Sequence, residues 1–439
     1  MKKYSDHPWL TPWEQKEIIE KLIRFNVDLI KWDNNGTLPL KGGGKTDIYI
    51  NLRNARNCPP AIEFLAKIYR TALLRLNINR FVEIPDSVSC FAGHLSILTS
   101  IPYLTIREQA KEGRVTKAKI IGQAKYGESV AIIDDVITDG ESKIEPIKEC
   151  EKMHLSLAPL IVLVDRQQGW KKNFQEKNID IDVWAGMTLH TIRRFLIENN
   201  LMRKFDLKME EKNPLVIALD NKDWEEILPI IDPLRTTGCI LKVNDLFFEK
   251  GMDLISDLKI YGRPLIDFKG HDIPNTVGNA CRKLKKYQPW GVTIHASGHD
   301  EMIKAAVSEF RGTPTKIFAV TLLTSLKEGC EEVYVRRPLD EVVVLAKIAK
   351  RSGAHGVVCA AEEVPEIKKE TTCKGLEFLT PALRSPKTKI ASDDQARIST
   401  LKGAKAAGAD WLVVGRQITT NEDPIAEVKR VLKEELKVL

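Results

Sequence analysis

The chain has 439 residues, of which 43% are hydrophobic and 29% charged, with a formal net charge of +7. That length exceeds one ordinary hydrophobic core, so two domains are expected, and the composition excludes a disordered or fibrous chain. No apolar run is long enough to cross a bilayer, which leaves no membrane partner expected; the modest positive excess lacks a dense basic stripe interleaved with aromatics, so acidic or phosphorylated small molecules are expected rather than nucleic acid.

The N-terminus, Met1-Lys2-Lys3-Tyr4-Ser5-Asp6, has no apolar signal-peptide core. Eight cysteines are scattered with no C-x-x-C pair, which fits a reducing cytoplasm and argues against a zinc ribbon. In the first half, Leu40-Lys41-Gly42-Gly43-Gly44-Lys45 precedes Ile48-Tyr49-Ile50. The apolar stretch 130–133 ends in Asp134-Asp135 and runs into Thr138-Asp139-Gly140-Glu141-Ser142. An acid pair after a strand reads equally as a ligand-binding strand end or as a capped turn. Asp165-Arg166-Gln167-Gln168-Gly169 follows a second apolar run. Residues 197–213 are polar, charged and free of strand pattern, so the domain boundary is placed near 205–213.

Beyond it, apolar runs recur at 215–219, 239–243, 264–268, 292–296, 317–323, 356–360, 376–379 and 411–414, mostly separated by stretches of helical length. Eight such strands alternating with helices predict a (β/α)8 barrel over 213–439. Barrel chemistry sits at the C-terminal strand ends. Strand one ends at Asp220, strand two carries Lys242, and strand three brings Asp267 and Lys269, with Asp272 on the loop beyond. Strand four offers His295, strand five Thr324, strand seven leads to Arg384, and strand eight ends in Gly415-Arg416. His295 and His299 are four apart beside Asp300, but no third ligand is evident, and barrel histidines satisfied by neighbours are expected.

These second-half residues resemble the orotidine 5′-phosphate decarboxylase family. The resemblance rests on Ala218-Leu219-Asp220, Lys242-Val243, and Asp267-x-Lys269-x-His271-Asp272-Ile273-Pro274-Asn275-Thr276. His295-Ala296, Leu323-Thr324-Ser325, Thr380-Pro381 through Arg384, Asp394-Gln395 and Val414-Gly415-Arg416 extend it. It implies conversion of orotidine monophosphate (OMP) to UMP and CO2 without a cofactor, in pyrimidine biosynthesis. Lys269 would protonate C6, Asp267 would lie by the departing carboxylate, and Lys242 and Asp220 would hold ribose hydroxyls. Arg416, Gly415 and Gln395 would grip the 5′-phosphate, with Thr324 and Arg384 completing the contacts. Asp272 and Thr276 would reach a partner's site in a homodimer. A fixed ammonium flanked by carboxylates suits a carbanion with no electron sink. The chain departs from the family at Ala382-Leu383 (usually Gly-Ile), Gln417 (usually Pro) and His299 (usually Gly). The alternative, a magnesium-dependent sugar-phosphate lyase of the same superfamily, shares the third-strand pattern but carries an acidic metal ligand near strand two, where this chain has Lys242.

Residues 1–205 resemble orotate phosphoribosyltransferases, which implies a type I phosphoribosyltransferase-like, Rossmann-like α/β domain. In that family Asp134 and Asp135 would bind ribose hydroxyls of phosphoribosyl pyrophosphate (PRPP), with Mg2+. Thr138, Gly140 and Ser142 would cradle its 5′-phosphate, Arg166 would contact orotate, and Lys41, Arg107 and Lys111 would complete the site. Asp139 stands where the family prefers Thr, Ser or Ala, followed by Glu141; Glu108 replaces a lysine, Gly113 a histidine, and 83–89 adds two acids and lacks glycines. Two like charges about 4 Å apart cost roughly 4 kcal/mol at an effective dielectric near 20. These changes predict a first half that keeps the fold but is weak or inactive as a transferase, with a dimerisation or regulatory role as the alternative.

Overall fold

The computed structural model describes residues 9–34, 36–39, 45–106, 119–203, 213–324, 336–385 and 399–438. The chain forms two compact units, Met1–Arg203 and Lys204–Leu439. No helix among the described residues is long and apolar enough to cross a membrane.

The first unit is built on a six-stranded sheet ordered Val183–Thr188, Ser156–Asp165, Ser129–Ile137, Arg80–Glu83, Tyr103–Ile106, Ile120–Ile121. All neighbours are parallel except the last pair. The second half of the long strand Ser156–Asp165 is buried and, over 160–164, apolar, as a strand covered by helices on both faces must be. Strand order reverses between Arg80–Glu83 and Ser129–Ile137, and in open α/β sheets ligands bind outside the carboxyl ends at such a point. The topology therefore places Glu83 and Asp134–Ser142 at that crevice.

The second unit is a closed barrel of eight parallel strands: Leu215–Ala218, Ile240–Val243, Arg263–Gly270, Gly291–His295, Lys316–Val320, Gly356–Val358, Glu377–Thr380 and Trp411–Val414. Each falls on one of the eight expected runs. Helix Pro338–Arg351 shows why the intervening segments are helical. Proline sits in its first turn, where no N–H is needed; Asp340 and Glu341 face the positive end of the helix dipole, and Lys350 and Arg351 the negative end. Val342, Leu345, Ala346 and Ala349 recur at helical spacing and are buried.

Val216, Ile240, Leu265, Phe318, Leu379 and Val413 pack into the barrel interior. A Cβ on Gly356 would lie 2.8 Å from the Phe318 ring, so glycine there makes room for it. Below this layer Lys316 bonds Glu377 at 2.6 and 2.7 Å and lies 4.9 Å from the Trp411 ring. That leaves the opposite, C-terminal end for the cavity.

Candidate functional site

A cavity of about 720 Å³ opens there, lined by residues from all eight strands or the loops that follow them, with Val358 contributed by the end of strand six. Its charged members include Asp220, Lys222, Lys242, Asp267, Lys269, Arg384 and Arg416.

The third strand sets the geometry. Its ladder with strand four pairs Ile266 with Val292, then skips to Gly270 with Ile294. Residues 267–269 thus bulge opposite Thr293 alone, and Lys269 takes a left-handed backbone, φ 48°. Such a conformation is costly for a residue with a Cβ and typical of functional sites. Thr293 holds the bulge: its hydroxyl accepts the Lys269 amide at 3.0 Å and donates to Asp267 Oδ1 at 2.8 Å. Asn244 donates its side-chain amide to the Asp267 carbonyl at 2.6 Å.

On this frame the charges alternate. Lys242 Nζ donates to both oxygens of Asp220, at 2.8 and 2.6 Å, and to Asp267 Oδ2 at 2.9 Å. Lys269 Nζ donates to the same Asp267 oxygen at 2.6 Å. Burial alone would raise the Asp267 pKa, but the two ammonium groups outweigh it and hold the carboxyl at about 2. Burial likewise opposes the charge on Lys242, and Asp267 and Asp220 more than compensate, so its pKa is raised. Two ammonium groups face two carboxylates, so the array is neutral as well as hydrogen-bonded. That is the condition under which buried charge is tolerated.

The structure brings Asp220, Lys242, Asp267, Lys269, Thr324, Arg384, Gly415 and Arg416 to this cavity. Asp272 and Thr276 do not line it; they lie on the exposed segment 271–276. Gln395 lies outside the described residues. His295 lies two residues beyond Thr293 on strand four and pairs with His271, ring centroids 5.4 Å apart. Burial, then the neighbouring His271 and Lys269, lowers its pKa. His299 contacts Asp300, whose carboxylate is also held by Arg351 and Ser352. Among the described residues no group of three or more His, Cys, Asp or Glu could hold a metal ion. Thr293 and Asn244 were not anticipated from sequence.

In the first unit, Asp134 is buried and ion-paired with Lys143, itself buried. Burial, then Asp134, raises the pKa of Asp135. The Lys143 ammonium opposes a divalent cation at this pair, so these residues do not fit a carboxylate-bound Mg2+. The Thr138 hydroxyl and the Glu141 amide both donate to Asp139 Oδ1, at 3.2 and 3.1 Å. Gly140 has φ 79°, and a Cβ there would lie 2.5 Å from Phe174. Ser142 is exposed. Arg166 is buried and donates to the Ile48 carbonyl at 3.3 Å and to Thr46 Oγ1 at 3.1 Å. Lys41, Arg107 and Lys111 lie outside the described residues.

A closed parallel barrel with an alternating Lys–Asp array and two arginines over one cavity defines a barrel enzyme that handles an anionic ligand. The pattern of the orotidine 5′-phosphate decarboxylase / HUMPS family matches residues 213–431. Orotidine 5′-phosphate decarboxylase of Pseudoalteromonas translucida is 37% identical over 240 residues, covering 52% of this chain and 99% of that protein. The chain belongs to the orotidine 5′-phosphate decarboxylase family. The solved decarboxylase of Lactobacillus acidophilus aligns over 51% of this chain and 98% of its own, at 34% identity and TM-score 0.44. The solved UMP synthase of Leishmania donovani aligns over 43% and 39%, at 28% identity and TM-score 0.37.

Proposed function

We propose that the barrel decarboxylates orotidine 5′-phosphate to UMP, with Lys269 as the proton donor to C6. The observation that carries this assignment is the difference between the two lysines. Lys242 spends all three donors on Asp220 and Asp267, whereas Lys269 has one carboxylate contact and keeps two N–H directions for the cavity. Asp267, ionised far below neutral pH, faces the leaving carboxylate. As CO2 departs, negative charge moves onto C6, and the fixed ammonium stabilises it there without reorganising. Asp220 and Lys242 hold the ribose, while Arg384, Gly415 and Arg416 hold the phosphate, whose binding energy serves the distant reacting carbon.

Lys269→Ala in the full chain should abolish release of CO2 from OMP while leaving the circular dichroism spectrum unchanged. Retained turnover sinks the assignment. Asp272 and Thr276 lie on the exposed segment 271–276 and outside the lining of their own cavity, which supports a homodimer in which this segment serves the neighbouring cavity.

The first unit is read as a UMP synthase-type partner that keeps the transferase fold but turns over weakly or not at all. Two contacts favour this: Lys143 occupies Asp134, and Asp139 occupies donors of the loop that would take a phosphate. Such a unit would serve assembly or regulation. Full-length Lys269→Ala given orotate, PRPP and Mg2+ should accumulate little OMP; ordinary turnover refutes this reading.

A further inference from the structure

Gln417 belongs to no motif above, yet it joins the two arginine-bearing loops of the cavity. It follows Arg416, and Ser385 follows Arg384. Both are buried, at 6% and 5% exposure. Gln417 Oε1 accepts the Ser385 backbone N–H at 2.7 Å. Its Nε2 donates to the Ser385 hydroxyl at 2.6 Å and to Glu427 Oε1 at 2.7 Å. Ser385 Oγ in turn donates to Glu435 and accepts from Arg430 at 3.1 Å. Arg430 closes the network on Glu427 and Glu435, at 2.7 and 2.8 Å. Among side chains only a primary amide both accepts a backbone N–H and donates twice, so all three polar hydrogen-bonding directions used here depend on this residue.

We propose that Gln417 is a positioning residue: it clamps the Arg384 loop to the Arg416 loop, so that both arginines meet one phosphate in a fixed geometry. The clamp rests on the decarboxylase reading for the ligand's identity, not for its own geometry. Gln417 and the two arginines beside the clamp line the cavity, whereas the Lys–Asp array is built on strands one to three. Losing the clamp should therefore cost recognition of the phosphate and spare recognition of the nucleoside.

The test uses Gln417→Met, close in size but unable to make these bonds, in the full chain. Calorimetric binding of UMP should weaken roughly ten- to hundredfold, the range for leaving a buried donor unpaired. Binding of uridine, which lacks the phosphate, should stay within about twofold, well under one lost hydrogen bond. With OMP, KM should rise more than kcat falls. Equal weakening of UMP and uridine, or unchanged UMP binding, overturns the clamp and leaves the decarboxylase reading standing. A wild-type chain that prefers UMP over uridine yet releases no CO2 from OMP refutes the decarboxylase reading and leaves the clamp standing. Should Gln417→Met not fold, Ser385→Ala removes the hydroxyl half of the network and is judged by the same UMP-to-uridine comparison.

Discussion

Thr293→Val tests whether the bulge in strand three is held for catalysis. Valine matches threonine in shape, so the change removes the hydroxyl and little volume. Thr293 is 1% exposed, and water cannot readily replace the lost partner. Two hydrogen bonds go: one to the ionised Asp267 at 2.8 Å and one from the Lys269 amide at 3.0 Å. A bond to a charged group contributes about 1.5–3 kcal/mol and a neutral one about 0.5–1.5. Together they amount to roughly 2–4.5 kcal/mol, an upper bound because Asp267 keeps both lysines. At about 1.4 kcal/mol per decade, kcat should fall roughly 30- to 1000-fold if the bonds are needed in full at the transition state. KM should change little, since the phosphate contacts are untouched. Steady-state loss of OMP absorbance gives both constants, and Thr293→Ser should recover most of kcat. A valine variant within about twofold of wild type, less than one neutral hydrogen bond, would show that Lys269 is placed without Thr293.

Other outcomes follow from the same geometry. His299 has φ 67° and ψ −177°, a region open essentially to glycine, and its side chain is 68% exposed. His299→Gly should relieve about 1–3 kcal/mol of strain against a glycine entropy cost of about 0.5–1, raising the melting temperature of the barrel by a few degrees in calorimetry. Ala382, at φ 61°, should respond the same way to Ala382→Gly, by about 1 kcal/mol. Asp267 links the site to pH. Its carboxyl falls from an ordinary 3.8 to about 2 on folding, which contributes roughly 2 kcal/mol. That stabilisation is complete above about pH 5 and is lost as pH falls toward 2. Urea unfolding between pH 5 and 2 should show this slope, and Asp267→Asn should flatten it; an unchanged slope removes Asp267 as its source.

Much of the barrel was legible in the chain because parallel strands covered on both faces read as apolar runs, and the charges that end those runs stand out. Asp220, Lys242, Asp267 and Lys269 were found that way. The glycine departures at Ala382 and His299 were visible too, but their meaning needed backbone angles: each falls where φ is positive. Thr293 carried no such signal. It lies on the same face of strand four as His295, and its depth against Asp267 comes from a ladder that skips from Ile266 to Gly270. No local pattern encodes a register shift of that kind.

The first unit draws the same line. The acid pair and the loop after it were plain in the sequence, as was the excess of negative charge. That Asp134 would be claimed by Lys143, nine residues on, and that Asp139 would turn back onto its own loop depended on a helix packing over the strand end. Gln417 goes further still, joining residues 32 apart through a serine that looks unremarkable in the chain. The sequence by itself determined the eight-strand barrel, the charged residues of its rim and the family, because burial and charge are properties of single positions and their spacing. Only the tertiary structure decided which lysine keeps open donors and which residues brace the arginines. Hydrogen-bond valence is shared among groups far apart in the chain and is settled only when they meet.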